Sequence, residues 1–173
     1  MAPDYIIRPG LLEETFVYQE IERRAAQRFR AIGMAEIADG RPTDASDLVE
    51  RIRDGRLFVA ASGLPVGFAM YRQVDTAAYI EELDVLPDHA GQGIGAALIG
   101  RVAEAAVEAG LSSLFLSTFR DVPWNAPYYE RIGFRVLEEE AFSPAMRAIR
   151  SEHIAKGLDE SRRVFMRRRL GKV

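Results

Sequence analysis

Residues 87–98 read Pro87-Asp88-His89-Ala90-Gly91-Gln92-Gly93-Ile94-Gly95-Ala96-Ala97-Leu98, and no other segment constrains the fold as much. A strand-like run, residues 77–86, precedes them, and an alanine-rich helical pattern, residues 93–109, follows. Glycines at three alternate positions let the backbone turn tightly and approach a ligand closely. The first N–H groups of a helix have no intrahelical acceptor, and the helix dipole places partial positive charge on them. A strand–turn–helix junction of this kind is a ready anion site, phosphate above all. Residues 88–95 contain no Lys or Arg, so backbone N–H groups must do most of the binding. The competing reading is a turn that only connects strand to helix; three glycines before an alanine-rich helix favour the anion site.

Two nucleotide folds must be weighed for that anion. Gly91, Gly93 and Ala96 satisfy G-x-G-x-x-A, but a dinucleotide fold also wants an acidic residue about 20 positions on, at the end of the next strand. Residues 111–120 contain no acid, and the turn follows a hairpin pattern rather than opening a βαβ unit. A Walker A loop fails because no Gly-Lys-Ser/Thr follows.

The rest of the chain predicts alternating elements. Residues 5–8 read as an opening strand, ended by Pro9-Gly10. Residues 12–31 read as a helix with Val17, Ile21, Ala25 and Phe29 as its apolar stripe. Thr43 or Asp44 caps a short helix through Arg53. Residues 57–61 and 66–73 form a hairpin, and residues 77–86 a third long strand. Residues 114–116 read as a buried parallel strand. Residues 126–132 form a short helix and residues 134–137 a strand. Ser143-Pro144 opens a helix to about Lys156, and residues 162–170 form a last strand. The implied fold class is mixed α/β (α+β) with a largely antiparallel first half.

The chain has 173 residues, the size of one domain, here residues 1–173. It has no cysteine, which excludes disulfides, thiolate metal sites and a cysteine nucleophile. A reducing, cytoplasmic setting is therefore expected. His89 and His153 are the only histidines, so a three-histidine metal site is impossible and no metal is expected. A net charge of -3 argues against a nucleic-acid partner. No run reaches the roughly 18 apolar residues of a membrane span, and no secretory signal pattern opens the chain; no membrane role is expected.

With these pieces in place, the pattern resembles the GNAT family of acyl-CoA-dependent N-acyltransferases. The family's Gln/Arg-x-x-Gly-x-Gly/Ala loop aligns with residues 90–95, with Ala90 standing where the family has Gln or Arg. Leu83-Asp84-Val85-Leu86-Pro87 resembles the family's strand end. Trp124-Asn125-Ala126-Pro127-Tyr128-Tyr129-Glu130-Arg131-Ile132-Gly133-Phe134 resembles its Asn followed by Tyr-x-x-x-Gly-Phe. The resemblance implies a mixed, mostly antiparallel central sheet flanked by helices, with acetyl-CoA as cosubstrate. It implies that Leu83, Asp84 and Val85 pair with the pantetheine arm through their backbone. Gly91, Gln92, Gly93, Ile94, Gly95 and Ala96 would hold the pyrophosphate, and Ala90, through its backbone, and Asn125 complete the cofactor-binding set. Tyr129 would sit by the thioester sulfur.

The chemistry expected is direct attack of a primary amine on the thioester in a ternary complex. A backbone N–H near Val85 can stabilise the oxyanion, and Tyr129 can protonate the leaving thiolate. For the base, Glu81 is preferred over Glu82, because adjacent strand residues face opposite ways and Glu81 shares a face with Leu83 and Val85. The structural alternative is that both acids are solvated or salt-bridged. His89 reads as a surface loop residue, and His153 and the run Arg167-Arg168-Arg169 as solvated. The acceptor is a small-molecule or peptide amine, and a homodimer is open. The alternative function is a non-catalytic acyl-CoA-binding or sensing domain, for which the replacement at Ala90 leaves room.

Overall fold

A computed structural model describes residues 4–171. In chain order it contains β1 (Ile6–Pro9), α1 (Thr15–Ala26), α2 (Ala35–Ala38), α3 (Ala45–Arg53), β2 (Leu57–Ser62), β3 (Leu64–Val74) and β4 (Ala77–Val85). There follow α4 (Ile94–Glu108), β5 (Ser113–Phe119), α5 (Ala126–Arg131), β6 (Arg135–Val136), α6 (Pro144–Ala155) and β7 (Arg163–Arg169). The result is the expected mixed, mostly antiparallel sheet with flanking helices. The described residues divide into two compact units: residues 4–72 with 80–104, and residues 73–79 with 105–171.

In the first unit the strand order is β1-β2-β3-β4. β1 and β2 pair antiparallel, as do β2 and β3, with an irregularity at Ala60/Ala61. Leu57, Phe58, Val59, Ala60 and Ala61 are all buried, which is why this run lacks the alternation of a half-exposed strand. Tyr18 and Ile21 of α1 and Leu48 of α3 pack onto Leu57, Val59, Phe68 and Met70.

The stripe of α1 differs from the expected one. Thr15, Tyr18, Ile21 and Ala25 are buried, whereas Val17 is 40% exposed. A strict four-residue repeat drifts around a helix of 3.6 residues per turn, so Val17 swings outward and Tyr18 takes its place. The helix also stops at Ala26 and continues as a 3-10 turn, Gln27–Ile32. The short α2 was not anticipated.

In the second unit the order is β4-β5-β7-β6. Ala77–Tyr79 run parallel to Ser113–Phe115, and β7 pairs antiparallel with both β5 and β6. Tyr79, Phe115, Phe165, Met146 and Ile149 form the core here. α6 starts as read: the Ser143 hydroxyl accepts from the Met146 N–H at 3.2 Å, ahead of Pro144 at the first turn.

Two expectations about charge are corrected in this unit. The His153 side chain is 13% exposed rather than solvated, and its Nδ1 lies 3.0 Å from Glu160 Oε1. Its Nε2 lies 3.4 Å from the Tyr79 hydroxyl. The arginine run is only partly solvated: Arg168 lies over the Phe134 ring at 5.4 Å and donates to the Ile132 carbonyl at 3.2 Å. Its burial lowers its pKa. Arg167 is half-buried as well, and Arg169 alone of the three is exposed; packing against neighbouring elements covers the stems of long side chains on a strand. Among the described residues no helix is long and apolar enough to cross a membrane.

Candidate active site

The first unit carries the strand–turn–helix junction. β4 ends at Val85, the chain makes a 3-10 turn over Pro87–His89, and α4 begins at Ile94. Ala90, Gly91, Gln92, Gly93 and Ala96 are exposed, and Ile94 is buried as the anchor of the turn. Gly91 and Gly93 have φ of 76° and 79°, a region that side chains with a Cβ enter only with strain. A Cβ at either position would meet no atom within 4 Å. The turn is therefore set by conformation, and the space beside it is open to a ligand. The Ala97 N–H bonds to the Gly93 carbonyl at 3.0 Å, a first helical i→i−4 bond. The N–H groups of Ile94, Gly95 and Ala96 thus stand before the ladder, where an anion would bind.

Upstream, Leu83, Asp84 and Val85 are half-buried at the end of β4. The Leu86 N–H donates to the Val66 carbonyl at 2.8 Å, tying β4 to β3. Gly67 on β3 approaches this point so closely that a Cβ there would lie 2.8 Å from the Asp84 carbonyl oxygen. Gly67 was not singled out from sequence; an isolated glycine inside a strand pattern is the signal that finds it.

Glu81 lies where expected, on β4, but its carboxylate is engaged. Oε2 accepts from Arg51 Nε at 2.6 Å and Oε1 from Arg51 Nη2 at 3.0 Å. Arg72 Nε adds a charge 3.5 Å from Oε1. The side chains of Arg51 and Glu81 are 10% and 16% exposed, so this is a bidentate, mostly buried pair. Both Glu81 oxygens are thus taken by guanidinium groups.

Three other carboxyls surround the strand end. Glu22 of α1 accepts from the Thr43 N–H with both oxygens, each at 3.0 Å. Burial raises its pKa against those hydrogen bonds. Asp84 keeps some exposed surface, yet its Oδ2 is shielded and has no hydrogen-bond partner. Burial, then the charge of Glu22, push the Asp84 pKa up to about 8, against the opposing pull of Arg28 and a hydrogen bond with Glu82. His89 is half-buried in the turn, and Asp88 lies 3.7 Å from Arg24.

The second unit holds the remaining two candidates. Asn125 precedes α5, and its carbonyl accepts from the Tyr129 N–H at 3.0 Å. Its Oδ1 is buried without a hydrogen-bond partner, an orphan that a ligand amide would satisfy. The Tyr129 ring is buried, edge-on to Tyr128 at 5.3 Å and to Phe134 at 5.6 Å. Tyr128 is half-buried, and burial raises its pKa. Tyr129 is the more buried of the two. Among the described residues no group of three or more His, Cys, Asp or Glu is placed to hold a metal ion.

Comparison with known proteins gives a consistent result. Residues 17–134 match the Acetyltransferase (GNAT) family. The chain is 31% identical over 81 residues to an uncharacterized N-acetyltransferase, YjcF, of Bacillus subtilis (strain 168), covering 47% of this chain and 56% of that one. It is 33% identical over 82 residues to the thialysine N-epsilon-acetyltransferase of Sus scrofa, covering 43% and 46%. The chain thus spans about half the length of the curated relatives it matches. In structure it is similar to a PaiA N-acetyltransferase of Thermoplasma acidophilum in complex with coenzyme A, with a TM-score of 0.69, 16% identity, and 95% and 98% of the two chains covered.

Proposed function

The chain belongs to the GNAT acetyltransferase family, and on that premise we propose that it transfers an acyl group, acetyl by default, from CoA to a primary amine. The observation that carries this reading is the junction itself. A glycine turn in the left-handed region opens onto free space and leads straight into the unladdered N–H groups of α4. This binds a pyrophosphate without basic side chains, and the structurally similar PaiA protein is complexed with coenzyme A.

In this reading residues 90–96 hold the pyrophosphate, with Ala90 contributing no side-chain contact, and Leu83–Val85 pair with the pantetheine arm through their backbone. The orphaned Asn125 Oδ1 accepts a hydrogen bond from the bound cosubstrate. The thioester supplies the activated acyl group. The neutral amine attacks its carbonyl carbon directly, and the Val85 N–H stabilises the oxyanion. Tyr129 protonates the leaving sulfur. The acceptor is a small-molecule or peptide amine; the named activity of the Sus scrofa relative, on thialysine, supports an amine of the lysine type.

Calorimetry with acetyl-CoA, CoA and NAD tests the ligand: CoA species bind, and binding of NAD alone sinks the reading. Free-thiol release across an amine panel separates an enzyme from a non-catalytic acyl-CoA sensor, a reading for which Ala90 leaves room. Tyr129→Phe is expected to lower kcat by about 100-fold while leaving CoA affinity unchanged. Unchanged kcat removes Tyr129 from the proton-donor role.

A further inference from the structure

An amine acceptor arrives as an ammonium ion and must lose a proton before its lone pair can attack. A base for that step needs a carboxylate oxygen that is uncommitted, shielded from bulk water and close to the acyl position. Glu81 has both oxygens on Arg51. Glu22 has both oxygens on the Thr43 N–H, and Oε1 also accepts from the Thr43 hydroxyl at 3.3 Å. Asp84 differs from both: its Oδ2 is buried and takes no hydrogen bond. It is also the residue next to Val85, whose N–H is the oxyanion donor in the proposed reaction. Gly67 holds β3 against the Asp84 carbonyl, so the backbone that aims this side chain is fixed from the opposite strand.

We propose that Asp84, rather than Glu81, is the catalytic base that takes the proton from the acceptor's ammonium group. The inference rests on the acyl-transfer reading above and names a residue for its missing step. The N–H bond of the ammonium breaks, and the proton moves to Asp84 Oδ2, directly or through one water. The freed lone pair forms the C–N bond. The C–S bond breaks with its electron pair on sulfur. The second amine proton balances the one delivered to sulfur, and Asp84 returns its own proton to solvent, so the reaction yields amide, thiol and one proton.

The surroundings suit this role. The charged groups that act on Asp84 are Glu22 from α1, Arg28 from the 3-10 turn after it, and Glu82 on β4. Glu22 and Arg28 act on Asp84 with opposite sign, and Glu82 acts through a hydrogen bond. Burial and Glu22 raise the affinity of Asp84 for a proton, to a pKa of about 8, which matches a base that works near neutral pH. The sign is fixed: only the ionised form accepts, so turnover rises with pH as Asp84 deprotonates.

The test uses the full chain in two measurements. In the first, isotope-edited NMR follows the aspartate carboxyl carbons against pH; a resonance absent from Asp84→Asn is expected to titrate above neutrality. Titration of that resonance in the ordinary carboxylate range overturns the proposal even if no acceptor has been found. In the second, thiol release from acetyl-CoA is measured with L-lysine, spermidine, L-glutamate and a peptide with a free α-amine. Asp84→Asn is expected to lower kcat by about 100-fold and to flatten its rise with pH, with CoA affinity by calorimetry unchanged. Wild-type activity with an equally active Asp84→Asn, pH profile intact, overturns the proposal and leaves the acyl-transfer reading standing. A wild-type chain that binds no CoA overturns that reading and the proposal with it.

Discussion

Arg51 is held at three points, with Nε and Nη2 on Glu81 and Nη1 2.9 Å from Glu50. The hydrogen bond to Glu81 is the main reason its pKa is raised. Removing one partner of a buried pair strands the other charge. Arg51→Met is therefore expected to cost about 3 kcal/mol, the lower end of the usual range because Arg72 remains near Glu81. Replacing both residues, as Arg51→Met with Glu81→Leu, is expected to recover most of that loss. Urea denaturation reads both values. A single variant as stable as the wild type would show the pair to be screened. At the residue scale, then, the acid expected from its place on β4 is bound to Arg51 through both oxygens, and the acid next to Val85 has one oxygen without a hydrogen-bond partner.

α1 shows how one element couples packing to charge. Tyr18 packs against Phe68 with ring centroids 5.5 Å apart, and its hydroxyl donates to Glu14 at 2.6 Å while accepting from the Leu11 N–H at 3.0 Å. Arg8 closes the cluster at 2.7 Å from Glu14. Burial alone would raise the Glu14 pKa, but the hydrogen bonds from Arg8 and Tyr18 outweigh it and hold the carboxyl below its ordinary 4.5. A lowered pKa contributes stability that is fully present above the unfolded value and is lost as pH falls through the folded value. Glu14→Gln is thus expected to be less stable than the wild type at neutral pH by about 1–3 kcal/mol, with the gap closing below the ordinary carboxylate range. Thermal melts of both proteins across the acid limb check this; a gap independent of pH would remove charge from the account.

At the scale of the molecule, each compact unit has its own apolar cluster, one around Tyr18, Leu48 and Phe68 and one around Tyr79, Phe115 and Phe165. Phe115 is 0% exposed and lies 4.8 Å from the Tyr79 ring. Phe115→Ala is expected to cost about 3–5 kcal/mol through lost burial and the cavity left behind. Denaturant midpoints measure it, and a loss under 1 kcal/mol, about the size of a surface change, would mean the cavity collapses. Much of this architecture was legible beforehand. Gly55 and Gly110 marked the ends of α3 and α4, Ser143-Pro144 the start of α6, and unbroken apolar runs β2 and β5, because those signals act within a few residues of themselves; Asp44 stands at the N-cap of α3 but its side chain makes no cap bond. Val17, His153 and Arg168 were misread because their surroundings come from distant parts of the chain.

The same division separates what each level decides about function. The sequence alone determined the glycine turn between β4 and α4, the absence of cysteine chemistry and the family to which the chain belongs, because each depends on residue type and local order. Only the tertiary structure decided which carboxyls are committed. Arg51 reaches Glu81 across 30 positions, and Thr43 reaches Glu22 across 21. Proton affinity depends on burial and on the distance in space to other charges, and sequence separation measures neither.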